Sequence, residues 1–162
     1  MNTRKPLFAL IPLSLVAIVA YAASAHFVRG PNASINTSNA HVTVTWKEAG
    51  LGDTVMVDYE ASADGSARYQ CVNRGGNCPA ASNKQDALGP VVARGSFASG
   101  KNGAINGSLT FEPPAGTLVC PGGQVRKMVS ASFANIALAD LTNNISKGAA
   151  PSALAQAGPE CP

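Results

Sequence analysis

Apolar residues recur at every second position along most of this chain, and this period restricts the fold more than any other feature. In residues 41–46, for example, Val42, Val44 and Trp46 alternate with a histidine and two threonines. Alternate side chains of a β-strand point to opposite faces, so the pattern predicts a half-buried strand with a threonine-rich outer face. Similar runs predict strands at 42–46, 55–59, 67–71, 91–97, 105–111, 117–120 and 125–141.

Glycine, proline and asparagine separate these runs at intervals of about ten residues, as turns do in antiparallel sheets. We predict turns at Asp64-Gly65 and at 99–103, the second as the turn of a hairpin. The longest run is expected to contain a bulge or turn near Ala134-Asn135. Seven or eight short strands favour an all-β fold, an antiparallel β-sandwich of immunoglobulin-like type rather than a barrel, and leave the strand order open.

The first 25 residues have the three parts of a cleavable signal peptide. Arg4 and Lys5 form a basic start, residues 7–21 are free of charge, and Ala23-Ser24-Ala25 supplies the small residues that signal peptidase requires. The apolar run of about fifteen residues is shorter than the roughly 20 that a membrane-spanning helix needs. We therefore expect a protein secreted to the medium or the periplasm, with no membrane span after cleavage.

The remaining chain predicts one domain. We assign 26–145 to the sandwich and 146–162, rich in alanine, proline and glycine, to an irregular tail anchored by Cys161. Arg4 and Lys5 belong to the signal peptide, which leaves ten of the twelve basic residues against nine acidic ones. A nearly neutral chain without clusters of basic and aromatic residues argues against a nucleic-acid partner, and we expect a monomer.

All four cysteines lie in the exported part, where thiols oxidise, so an even number predicts two disulfides. Four cysteines allow three pairings. We predict Cys71 with Cys120, because each ends a strand-like run, and Cys78 with Cys161, which would hold the tail.

Several short motifs add a resemblance. They are Trp46-Lys47-Glu48-Ala49-Gly50-Leu51-Gly52, Tyr69-Gln70-Cys71-Val72-Asn73 with Gly75-Gly76, Asn83-Lys84, and Cys120-Pro121-Gly122-Gly123-Gln124. This pattern resembles a group of small secreted microbial proteins of unknown function. The group has no activity to transfer, so the resemblance implies export and a β-rich domain.

A copper site is one candidate for chemistry. Cleavage after Ala25 would make His26 the first residue, whose amine and imidazole could chelate Cu(II) together with His41, the only other histidine. This two-histidine set predicts, as the alternative function, a copper-binding protein that could be redox active. A lone exposed histidine on a strand also needs no function.

The polar loop 73–85 is the second candidate. Asparagine and glutamine side chains both donate and accept hydrogen bonds, so a loop of this composition suits a glycan or an extracellular protein, although surface loops are commonly polar. The candidate binding residues are Asn73, Arg74, Asn77, Asn83 and Lys84. A small secreted inhibitor that presents the loop between Cys71 and Cys78 to a protease is a further alternative.

No motif commits the chain to catalysis. The sequence contains no G-x-S-x-G elbow, and Asp58 and Glu60, which share a strand face before Asp64-Gly65, are few for a calcium site. The favoured interpretation is a secreted, non-catalytic protein without a cofactor that acts by surface recognition or as an extracellular structural component. Four sequons would carry glycans in a eukaryotic source: Asn32, Asn36, Asn106 and Asn144.

Overall fold

The structure is a computed structural model that describes residues 24–162, so the predicted signal peptide lies outside the described residues apart from its last two positions. The described residues form eight strands: β1 (His26–Ile35), β2 (Val42–Ala49), β3 (Met56–Asn73), β4 (Lys84–Ala98), β5 (Ile105–Phe111), β6 (Gln124–Asp140), β7 (Ile145–Gly148) and β8 (Leu154–Ala157). The predicted all-β class is confirmed. Between residues 24 and 162 there is no helix of the length and apolarity needed to cross a membrane.

The strands form two antiparallel sheets. One has the order β1-β2-β5; the other, which we call the long sheet, has the order β4-β3-β6-β7 and also contains β8, which pairs with β6. The chain between β7 and β8 connects the sheets, because Ala33 N donates to Ala150 O (3.1 Å) and Ala150 N donates to Pro31 O (3.0 Å). The two sheets are therefore joined along one side.

Side chains from both sheets form one apolar core. Trp46 of β2 lies against Tyr59 of β3, with ring centroids 4.7 Å apart, and Phe111 of β5 lies 5.6 Å from Phe133 of β6. The rest of the core is mainly valine, alanine, leucine and isoleucine, as a chain with few aromatic residues requires. The polar outer face predicted for β2 is observed, since Val44 is fully buried and Thr45 is exposed.

The ring of Trp46 occupies the space beside a glycine. Gly107 of β5 pairs with Trp46 of β2, and a Cβ added to Gly107 would lie only 2.3 Å from the indole ring. A side chain at position 107 would therefore displace the largest residue of the core.

The Asp64-Gly65 turn prediction is wrong, because both residues lie inside the single strand β3. Gly65 has a packing role instead: a Cβ there would lie 2.9 Å from Pro114, which crosses the strand. Asp64 accepts a hydrogen bond from Asn135 Nδ2 at 2.7 Å. Gly65 is thus used for the close approach of Pro114, and Asp64 for a hydrogen bond to the neighbouring strand, although both residues commonly occur in turns.

Residues 99–103 form no hairpin turn, because β4 and β5 belong to different sheets and this loop crosses between them. Residues 117–120 form no strand; Gln85 Oε1 holds this segment by accepting hydrogen bonds from the amides of Thr117 (2.8 Å) and Leu118 (2.6 Å). The predicted bulge in β6 is confirmed, since the pairing register shifts there and Asn135 has a φ of 55°.

The tail is more regular than predicted. Residues 146–162 contain β8 and most of β7, which pair with successive stretches of β6. The backbone groups along this edge of β6 need hydrogen-bond partners, and β7 and β8 supply them although the glycine and lysine of β7 and the alanines of β8 have low β propensity. Strand structure therefore extends to Ala157, and within the tail only the β7–β8 connection at 149–153 and residues 158–162 are irregular.

Replacing Gly107 tests the packing beside Trp46. We expect Gly107→Ala to lower the free energy of unfolding by about 2 kcal/mol, because the methyl group overpacks the core. Gly89→Ala is the matched control, since Gly89 also lies within a strand but a Cβ there meets no atom within 4 Å. Chemical denaturation measures both, and equal effects would contradict the proposed packing.

Candidate recognition site

The long sheet continues beyond the part that faces the three-stranded sheet. Past Ala67 its inner face is covered by the segment that follows β5: Tyr69 Oη donates to Pro114 O (2.7 Å), and a Cβ on Gly116 would lie 2.5 Å from the Tyr69 ring. We call this part of the molecule the distal end and define it as residues 68–86, 114–128 and 158–162. The distal end consists of a single sheet covered by irregular segments. It therefore needs stabilisation other than packing between two sheets.

Both disulfides lie at the distal end, and their pairing is the predicted one. Cys71 of β3 is bonded to Cys120 in the covering segment, and Cys78 in the β3–β4 loop is bonded to Cys161 near the C-terminus. Two disulfides indicate an oxidising environment, extracellular or periplasmic.

The last residues of the chain lie on the outer face of the long sheet. Cys161 N donates to Oε1 of the buried Gln70 at 2.8 Å. Glu160 forms ion pairs with Arg68 Nη1 (3.0 Å) and Lys84 Nζ (3.4 Å). Arg68 also forms two hydrogen bonds with the carboxylate of Asp86, and these lower the pKa of Asp86 below its usual value. Hydrogen bonds, ion pairs and a disulfide together hold the tail.

The backbone of the β3–β4 loop is fixed at its tip and its base. At the tip, Asn73 N donates to Asn77 O (2.9 Å) and Gly76 N donates to Asn73 O (2.7 Å), closing a tight turn. At the base, Cys71 N donates to Asn83 O at 3.0 Å. The loop is therefore an ordered turn bonded through Cys78 to the tail.

The structure brings the five predicted binding residues together on this loop, and all five are exposed. Within residues 24–162, the side chains of Asn73, Arg74, Asn77 and Asn83 make no hydrogen bond or ion pair, whereas Lys84 pairs with Glu160. Four polar side chains are thus available for a ligand, and the fifth contributes to the tail contact.

The distal end is also basic, which the sequence analysis did not predict. It holds five of the ten basic residues of the described chain but only two of its nine acidic residues; its basic residues are Arg68, Arg74, Lys84, Arg126 and Lys127. These residues are up to 59 positions apart in the sequence. The antiparallel pairing of β3 with β6 brings them together, since it places Arg126 of β6 directly opposite Cys71 of β3. Sequence clustering could not reveal such a patch.

The two histidines are not brought together. His26 pairs with Ala49 at one end of β2, and His41 directly precedes Val42 at the other end, so roughly 25 Å of strand separates them. His26 Nδ1 donates to Ser24 O (2.7 Å), and His41 Nε2 lies 3.9 Å from a carboxylate oxygen of Glu112. One chain does not assemble the two-histidine copper site that the sequence suggested.

The carboxylates considered for calcium have separate partners. Asp58 accepts a hydrogen bond from Ser96, and Glu60 forms an ion pair with Arg94 at 2.6 Å. No group of three or more His, Cys, Asp or Glu side chains in the described chain is arranged to hold a metal ion.

A buried pair of carboxyl groups lies at the opposite end of the molecule, and the alternation pattern gave no indication of it. Glu48 and Asp140 are both fully buried. Tyr59 Oη donates to Glu48 Oε2 (2.8 Å), while the Asp140 carboxylate accepts from the backbone amides of Thr142 (2.9 Å) and Asn143 (2.8 Å). Asp140 thereby holds the β6–β7 turn.

Burial raises the pKa of Glu48 to about 7. The neighbouring Asp140 raises it further by charge repulsion, whereas the hydrogen bond from Tyr59 and the nearby His26 act in the opposite direction. Burial and the same carboxyl group also raise the pKa of Tyr59. In the described structure Glu48 Oε1 has no hydrogen-bond partner, which favours the uncharged acid.

The protonation of Glu48 predicts how stability depends on pH. The ordinary pKa of Glu48 is 4.5 and the folded value is about 7. Between these values the folded state binds more protons than the unfolded state, so the free energy of unfolding falls as pH rises through this window, by up to about 3 kcal/mol. Glu48→Gln should remove this slope.

The matched control is Glu112→Gln, which makes the same change at a side chain that is 77% exposed. Urea denaturation from pH 4 to pH 8 gives the two profiles. A Glu48→Gln profile as steep as that of the unmodified protein would show that this group does not cause the dependence.

Removing the second disulfide should loosen the loop. The Cys78–Cys161 bond spans 83 residues, and the loop-entropy model assigns such a bond about 4.5 kcal/mol. In Cys78→Ser/Cys161→Ser we expect hydrogen exchange in 74–83 and 158–162 to become faster than in the unmodified protein, with a smaller change in β2. Exchange in the loop equal to that of the unmodified protein would mean that the turn is ordered without this bond.

Comparison with known proteins supplies no relative, since no family model, no curated protein and no solved structure matches the chain. The functional argument therefore uses only the geometry and chemistry of the described residues.

Proposed function

We propose that this protein is a secreted, non-catalytic recognition module that binds an extracellular macromolecule, a glycan or a protein, through the β3–β4 loop of the distal end. One observation carries the proposal: unpaired polar side chains project from a loop whose backbone is held by hydrogen bonds and by two disulfides. They are Asn73, Arg74, Asn77 and Asn83.

An ordered loop is the form that favours binding. A flexible loop loses conformational entropy when a ligand orders it, at a cost of about 1 kcal/mol or more per residue. Here Cys71 and Cys78 restrict the loop before any ligand arrives, so less of the interaction energy is lost on binding. The protein thus keeps the loop both exposed and ordered.

The strand order supports an immunoglobulin-like sandwich as the scaffold. Strands β1, β2 and β5 correspond in order to A, B and E of that fold, and β4, β3, β6 and β7 correspond to C′, C, F and G. In this correspondence the candidate loop connects C with C′. The disulfides differ from those of antibody domains, since they lie at the distal end instead of joining B to F.

The geometry favours recognition over protease inhibition. Proteases bind their substrates and many inhibitors as extended segments, whereas Arg74 lies within a turn closed by the hydrogen bonds between Asn73, Gly76 and Asn77. A turn presents its side chains outward and its backbone groups to one another. This arrangement suits contacts made by amide and guanidinium groups.

The test compares two surface variants in the same binding screen. Labelled mature protein is applied to an array of neutral and acidic glycans and to cells of the secreting host. We expect Asn73→Ala/Asn77→Ala/Asn83→Ala to lower binding at least about tenfold, because the variant loses the hydrogen bonds that these amides make with the ligand. The variant should still fold, because the three amides make no contact that the fold requires. Thr45→Ala/Ser108→Ala, on the exposed face of the three-stranded sheet, is the control and should bind normally.

Circular dichroism and the mass of the oxidised chain establish that both variants are folded with two disulfides. Binding that persists in the asparagine variant and disappears in the control would move the recognition surface to the other sheet. No binding by the unmodified protein to any glycan or cell would overturn the proposal.

A further inference from the structure

We infer that the ligand of the distal end is an acidic polysaccharide, a sugar chain that carries carboxylate or sulfate groups. This inference rests on the proposed function and names the ligand class of the same surface. It combines three observations: the charge of the distal end, the placement of its unpaired cations, and the amide groups beside them.

The charge is unevenly divided along the molecule. The distal end has five basic and two acidic residues, whereas the rest of the described chain has five basic and seven acidic residues. The two acidic residues, Asp86 and Glu160, are already paired with Arg68 and Lys84. No acidic side chain of the distal end is left to neutralise the other cations, so this end attracts anions while the remainder repels them.

Three cations have no acidic partner in the described structure, and they point in different directions. Arg126 and Lys127 are consecutive in β6, so their side chains lie on opposite faces of the sheet, and Arg74 lies in the loop beyond its end. Arg126 is additionally held over the Tyr69 ring, 5.8 Å from its centroid. A single small anion cannot contact all three cations, whereas a flexible charged chain that passes around the end can.

The amides favour a sugar over an acidic protein. Asn73, Asn77 and Asn83 each offer two donors and an acceptor on the same loop as Arg74, and this combination matches neighbouring hydroxyl groups next to an acid group. Protein interfaces are commonly anchored by exposed tryptophan or tyrosine, and the only aromatic residue of the distal end, Tyr69, is partly buried.

Calorimetric titration with defined probes tests this inference. The probes are polygalacturonate and heparin oligosaccharides of equal length, neutral dextran, and poly-L-glutamate as an acidic polymer without sugar hydroxyl groups. We expect at least one acidic saccharide to bind, dextran not to bind, and poly-L-glutamate to bind at least about tenfold more weakly than that saccharide. Raising NaCl from about 50 mM to about 300 mM should weaken saccharide binding at least about tenfold, because exposed charges are screened.

Charge-removing variants locate the contact. Arg74→Gln and Lys127→Gln should each weaken saccharide binding about fivefold, because each removes one exposed ionic contact. Lys101→Gln and Lys147→Gln make the same chemical change as Lys127→Gln at exposed lysines outside the distal end and should leave the affinity unchanged.

Two results would overturn the inference. Failure of both acidic saccharides to bind excludes the ligand class, and equally tight binding of poly-L-glutamate shows that only charge is recognised. The proposed function fails separately: if the asparagine variant loses binding to a neutral glycan or to host cells while acidic saccharides do not bind, the loop remains the recognition site and only the acidic ligand is rejected.

Discussion

The antiparallel pairing of β3 with β6 is the interaction on which the rest of the structure depends. These strands pair from Tyr59–Asp140 at one end to Asn73–Gln124 at the other, and β3 contributes to the apolar core only as far as Ala67. One end of the pair places Asp140 beside Tyr59 and Glu48, and the other brings Arg126 and Lys127 beside the loop. Both polar features of the molecule therefore follow from one register.

The charged groups at the two ends of the molecule lie in opposite environments, buried at one end and exposed at the other. Glu48 lies where burial and Asp140 both oppose ionisation, so its pKa is raised to about 7 and the group is largely uncharged below that pH. At the distal end Arg74 and Lys127 are exposed and lack an acidic partner, so their charges remain available. The buried pair thus acts on stability, whereas the exposed cations can act on a ligand.

Sequence reasoning predicted the features that depend on neighbouring residues. The period of two identified the all-β class and the burial of β2, cysteine positions gave both disulfides, and Asn135 marked the bulge. It failed where contacts between distant residues decide the structure: Asp64 and Gly65 continue β3 beneath Pro114, and the tail, predicted to be irregular, forms β7 and β8 along an edge of β6. The binding loop was predicted as a polar segment, but its basic surroundings required the pairing of β3 with β6.

The position of the disulfides connects stability with the proposed recognition. Beyond Ala67 the long sheet has no second sheet to pack against, so hydrophobic burial there is smaller than in the core. Cys71–Cys120 joins β3 to the segment after β5, and Cys78–Cys161 joins the β3–β4 loop to the tail, so the two bonds replace part of that burial. A sheet end without a large apolar cover can expose many polar and cationic side chains and remain ordered. That combination is what a surface for a hydrated, charged ligand requires.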